Sequence, residues 1–187
     1  MAVSSRYAWL AREPGPRMII EALKTIGVVE VPGPADSPTI MGWAAEVGVR
    51  DVYTGDDIPW CALWMAVIAK RAGKPPCPGR PRDALWAANW ARWGQAVNHD
   101  DARLGDIGVF RRPSGGHVGL IVGRDAGTSK RPPCFHVLAG NQSDAVNVAP
   151  IDVARLVAVR RYYAVGMPSN VRVVTLKPTG AVSRNEA

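Results

Sequence analysis

Apolar side chains recur at helical spacing early in the chain: Met18, Ile19, Leu23 and Ile26 fall on one face, and Gly27 follows. This predicts a helix over residues 17–27, preceded by a short arm, residues 1–16, that ends in Pro14-Gly15-Pro16. A stiff loop rich in proline and glycine follows, and a second helix is expected over residues 38–47, with Gly48 as its stop. Residues 50–57 form an acidic loop. From Cys61 to Ala72 no residue breaks a helix, the side chains are largely apolar, and Gly73 ends the run. Pro59 suits the first helical turn, and Asp56 or Asp57 can cap it. Residues 82–93 also read as helical. Trp86, Trp90 and Trp93 recur there at i, i+4, i+7 and so share a face, which either packs the core or lines a ligand groove along one edge.

From Leu104 the period changes. Short β-rich runs cover residues 107–111, 117–122, 135–139, 145–149 and 156–162, with turn residues between them. Helices first and strands afterwards imply an α+β fold with an antiparallel sheet of about five to six strands. No internal repeat and no second domain is visible. Residues 17–165 form the expected folded domain, and the polar stretch 166–187, with Pro168, Pro178 and Gly180, reads as a loosely held tail.

A length of 187 residues, 47% hydrophobic and 21% charged, suits one globular domain with its own core. The net charge of +7 attracts polyanions, whether nucleic acid, anionic membrane or an acidic cell wall. No arginine-rich tract or nucleic-acid motif favours the first. No stretch is apolar and long enough to span a membrane, and Met1 to Arg12 lack the apolar run of a secretion signal. The expectation is a protein made in the cytoplasm. Cys61, Cys77 and Cys134 cannot all pair internally, and no Cys-x-x-Cys spacing joins them. A reduced state fits best.

Cys61 stands where a helix begins. Free N–H groups and the positive end of the helix dipole favour a thiolate there, although buried cysteine also serves as plain core filler. Of the three histidines, His99 sits in a polar loop and His136 lies inside a strand. His117 opens a strand just after Gly115-Gly116, where the missing side chains leave room for a substrate. The expected chemistry is attack by the Cys61 thiolate, with His117 as base and then as acid for the leaving amine. If residues 117–122 and 135–140 form a hairpin whose loop centres near residues 128 to 129, antiparallel pairing sets Asn141 across from His117. Asn141 can then orient the imidazole, or it is simply a turn residue. Gln142 is the neighbouring substitute and a candidate oxyanion donor. Asp51, Asp56 and Asp57 offer oxygens to calcium, but without EF-hand spacing, and capping explains them better. No zinc site and no cofactor is expected.

Several stretches together resemble the papain-like cell-wall hydrolases, the CHAP (cysteine, histidine-dependent amidohydrolase/peptidase) and NlpC-type enzymes, and within them a phage and prophage branch of lysins. They are Pro59-Trp60-Cys61, Gly105-Asp106-Ile107, Gly115-Gly116-His117-Val118-Gly119 and Gly140-Asn141-Gln142-Ser143-Asp144, with Gly27-Val28-Val29-Glu30-Val31-Pro32-Gly33 upstream. The likeness runs from about residue 17 to 163. It departs at Ala62, where the family often has serine, and at Asp36, where asparagine is expected. The resemblance implies a papain-like fold and a catalytic set of Cys61, His117 and Asn141. It also implies substrate or oxyanion contacts from Trp60, Gln142, Gly116, Glu30 and Asp36. The implied substrate is peptidoglycan, cleaved at an amide of its peptide by an endopeptidase or an N-acetylmuramoyl-L-alanine amidase. The enzyme would act as a monomer and reach the wall after release or on a virion. Two other readings stay open: a cysteine acyl-transfer enzyme acting on another amide, and a non-catalytic module that binds wall or nucleic acid through its tryptophans and basic tail.

Overall fold

In the computed structural model, which describes residues 4–178 and 181–184, three α-helices precede the sheet: α1 (Arg17–Leu23), α2 (Pro38–Glu46) and α3 (Cys61–Arg71). Of the expected arm and tail, residues 1–3, 179–180 and 185–187 lie outside the described residues. Helix α1 is shorter than its apolar period, and turns carry the chain from Leu23 to Gly27. Gly48 and Gly73 take φ of 74° and 65° just beyond α2 and α3, the left-handed conformation glycine adopts without strain at a helix end.

Two helical expectations need correction. Pro59 lies outside α3, whose N-cap is Trp60, and neither Asp56 nor Asp57 caps it. Residues 82–93 are not one α-helix but two short 3-10 helices, Pro81–Leu85 and Ala87–Arg92, broken at Trp86, which is extended. Side chain and backbone compete here: the Asp83 carboxylate accepts the Arg80 N–H, and the Asn89 amide donates to the Asp83 carbonyl. The break destroys the shared face. Trp90 and Trp93 are buried, whereas Trp86 is 71% exposed.

The sheet is six-stranded and antiparallel throughout, in the order β1-β6-β2-β3-β4-β5. Its strands are β1 (Gln95–Val97), β2 (Ile107–Arg112), β3 (Gly115–Asp125), β4 (Cys134–Gln142), β5 (Ala145–Asp152) and β6 (Leu156–Arg161). The fold is α+β. Strand β1 has three residues, too few for alternation to be visible in the sequence, and pairs only with β6 at the sheet edge.

Helix α3 packs across β3 and β4. Close approach requires glycine at residue 140, since a Cβ there would sit 2.6 Å from the Trp60 ring and 2.8 Å from the Trp64 Cβ. The arm and the tail brace the fold, and for the tail this is contrary to the expectation of a loosely held segment. Residues Ser5–Arg12 form a 3-10 helix that buries Tyr7 and Leu10. Where β2 has ended, the tail pairs with β3: Arg124 N–H donates to Val174 O and Leu176 N–H to Arg124 O. Val171 is buried, and Arg172 bridges to Glu13 of the arm at 2.7 Å.

Candidate functional site

Cys61 is the first residue of α3 and faces a cleft of about 520 Å³. Ile58 and Pro59 flank it on its own segment; Trp86 and Arg82 come from the 3-10 region, and Arg112, Ser114, Gly115 and Gly116 from the β2–β3 hairpin. No side chain caps α3. The positive end of its dipole favours a negative sulfur or an oxyanion beside it.

His117 follows the two cleft glycines on β3, cross-strand from Phe110, and is fully buried. Strand pairing brings its neighbours into line. Leu120 pairs with Leu138 and Ile121 with Val137, the β3–β4 register expected from the sequence, and the paired stretch ends there, short of His117 and Asn141. β4 is itself irregular between Ala139 and Gln142, the stretch that carries Asn141. Asn141 is buried and takes φ of 54°, as do Ser143 and Asp144 at 50° and 56°. Asparagine tolerates this left-handed conformation better than most residues, so Asn141 has a backbone role at the end of β4. The adjacent Gly140 carries the start of α3.

The remaining expected site residues take other places. Gly116 lines the cleft, and a Cβ there would come within 3.2 Å of Ala87 Cβ. Gln142 does not line it. Its amide nitrogen donates to the carbonyls of Val137 at 3.1 Å and Asn147 at 2.8 Å, so its hydrogens are spent within the β4–β5 pair and an oxyanion would find none. Trp60 is fully buried and donates from Nε1 to Glu30 Oε2 at 3.1 Å. Burial pushes the Glu30 carboxyl up, the Trp60 hydrogen bond opposes this, and the charges of Asp144, Asp56 and Asp57 add to it. Glu30 is tied in turn to the β4–β5 turn, its N–H donating to Asp144 O at 2.8 Å. Asp36 accepts the Asp56 N–H, and Asp56 accepts the N–H groups of Val31 and Ser37. Trp60, Glu30 and Asp36 thus support the Cys61 segment from behind instead of lining the cleft.

Two cleft residues carry more weight than their sequence context suggests. Trp86 loses its helical partners and becomes an exposed wall. Arg112 shares the parity of Gly108 and Phe110 on β2, a charge in phase with buried positions, and that was the readable signal. The other cysteines are distant in chemistry: burial pushes the thiols of Cys77 and Cys134 up to about 11. His99 is exposed, and His136 belongs to a separate buried network with Tyr7 and Asp125. Among the described residues no helix is long and apolar enough to cross a membrane. No family model matches the chain, and no curated protein is significantly similar to it.

Proposed function

We propose that this protein is a cysteine hydrolase of the papain-like kind that cleaves an amide bond in the peptide of bacterial peptidoglycan, in the manner of a phage lysin. One observation carries the reading. A cysteine at the start of a helix lines a cleft that the glycine pair leading into His117 also lines. His117 takes the Cys61 thiol proton, the sulfur attacks the amide carbonyl, the start of α3 stabilises the oxyanion, and His117 passes the same proton to the leaving amine as the C–N bond breaks. Water, deprotonated by His117, then releases the acyl group from the sulfur and restores the thiol. Asn141 holds the imidazole in plane and does not exchange protons. The net positive charge suits an anionic wall polymer.

The test is clearance of purified cell walls by the wild type beside Cys61→Ala and His117→Ala, with mass spectrometry of the released fragments to name the bond. Clearance by the wild type alone supports the reading. Equal clearance by Cys61→Ala, or none by any form, overturns it.

A further inference from the structure

We infer that Arg112 is the specificity-determining residue of the Cys61 cleft and receives a carboxylate of the bound peptide, an assignment that rests on the proposed reading of the cleft as a peptide-amide site. Arg112 ends β2, lines the cleft and is only 9% exposed. Its Nε and Nη1 atoms are buried and have no hydrogen-bond partner among the described residues. A guanidinium cannot shed its proton to escape this situation, so the charge stays and calls for an anion.

Other partly buried arginines of the chain are satisfied differently. Arg131 grips Asp125 at 2.7 and 2.9 Å, Arg161 grips Asp106 at 2.8 and 2.7 Å, and Arg71 grips Glu46 at 2.9 and 2.6 Å, each through two nitrogens. Among the described residues Arg112 has no such carboxylate. The one acid lining the cleft among the described residues, Asp83, is already held by Arg80, through its backbone N–H at 2.8 Å and its guanidinium at 3.4 Å. Arg82 adds a second positive group on the wall. The cleft therefore holds more positive charge than it neutralises.

Position gives that charge a purpose. Arg112 pairs with Gly115, and Phe110 with His117, so Arg112 and His117 lie on one face of the β2–β3 hairpin as diagonal neighbours. Opposite Arg112, a side chain on Gly115 would meet nothing within 4 Å. That open space adjoins the cleft, one diagonal step along the sheet from the histidine. A carboxylate a residue or so from the reacting amide, taken by Arg112 in a two-pronged hydrogen bond, fixes which amide reaches Cys61.

The experiment uses full-length Cys61→Ala, which does not turn over the probe, and two synthetic stem peptides containing γ-linked D-glutamate, one with free carboxylates and one with all carboxyls amidated. Titration calorimetry should give about 10- to 100-fold tighter binding of the free acid. Arg112→Gln in the same background should bring the two peptides level, and Arg112→Lys should restore part of the preference. Arg112→Met should leave the melting temperature unchanged or raise it, because the charge has no partner in the unliganded fold; a residue with only a structural role would lower it. Equal binding of both peptides with Arg112 present, no binding of either, or a preference that survives Arg112→Gln overturns the assignment. A wild type that fails to clear walls while the preference holds sinks the hydrolase reading and leaves Arg112 standing. Wall clearance without the preference does the reverse.

Discussion

Asp36 and Asp56 hold each other's loops: Asp36 Oδ1 accepts the Asp56 N–H at 3.0 Å, and Asp56 Oδ2 accepts the N–H of Ser37, the next residue, at 2.8 Å. The same Asp56 oxygen also takes the Val31 N–H at 3.0 Å. This clasp ties the loop before α2 to the loop that delivers Cys61. Asp56→Ala removes the acceptor of two backbone donors near a buried site and should cost ~2–4 kcal/mol of stability in urea unfolding. Asp56→Asn keeps an amide oxygen that can accept both bonds, so its loss should be clearly smaller. Equal losses would show that charge, not the shared acceptor, holds the clasp.

Thiol reactivity should single out Cys61. Cys77 and Cys134 are kept as neutral thiols by burial, both pushed to about 11, and a neutral thiol is a poor nucleophile. Brief treatment of the folded protein with iodoacetamide near pH 7 should modify Cys61 first and abolish wall clearance. Peptide mapping checks the site, and Cys61→Ser should take up almost no label. Labelling that is unchanged in Cys61→Ser would refute the selectivity.

Asn141 has two roles that one substitution would confuse, because alanine at φ of 54° is strained as well as missing the amide. Asn141→Gly separates them, since glycine accepts that conformation. It should melt close to the wild type yet clear walls roughly 30- to 1000-fold more slowly, as for the loss of one preorganised group worth ~2–4 kcal/mol. Asn141→Asp should keep more activity than Asn141→Gly, because a carboxylate can still accept from the imidazole. Full activity in Asn141→Gly would leave Asn141 as a turn residue and nothing more.

Ending the chain at Ser169 should lower the melting temperature substantially. The cut removes buried Val171, the strand-like bonds of residues 174 and 176 to Arg124, and the Arg172–Glu13 pair. Burial of Val171 together with partial burial of Val174 and Leu176 contributes ~3 kcal/mol or more. Unfolding followed by circular dichroism measures it, and an unchanged midpoint would mean the tail docks without stabilising.

Acid should loosen the arm. Burial lowers the pKa of His136, against the opposing hydrogen bond to Asp125, so the ring is neutral in the fold. Its Nε2–H donates to Asp125 at 2.7 Å, and its Nδ1 accepts the Tyr7 O–H at 2.6 Å. Burial also works against ionising Asp125, but the hydrogen bonds from Arg131, His136 and the Gly127 N–H outweigh it and hold the carboxyl below its ordinary value. Both groups take up protons more readily when unfolded. The His136 contribution is complete above about pH 6.5 and is lost as pH falls from there toward its folded value. That of Asp125 is complete above about pH 3.9 and is lost as pH falls through its own folded value. The melting temperature should therefore begin to drop below about pH 6.5, and His136→Phe should flatten the first part of that drop.

Local signals in the sequence determined a good deal of this protein. Gly48 and Gly73 mark where α2 and α3 end, and the change of period after Leu104 announces the strands. The symmetry of the 117–122 and 135–140 runs already anticipates the pairs Leu120–Leu138 and Ile121–Val137. These features are legible because helix stops, side-chain period and hairpin pairing act over a few residues. Tertiary structure decided the rest. Trp86 leaves the tryptophan face because side-chain bonds around Asp83 break the helix, and Gln142 turns its amide into the β4–β5 pair. Asp56 serves loops 19 and 25 residues away instead of its own helix. The tail gains strand partners because β2 stops short of the end of β3 and leaves backbone groups of Arg124 unsatisfied until residues 174 and 176 arrive. Each of these outcomes depends on which polar group meets which across long stretches of chain, and such meetings leave no period in the sequence.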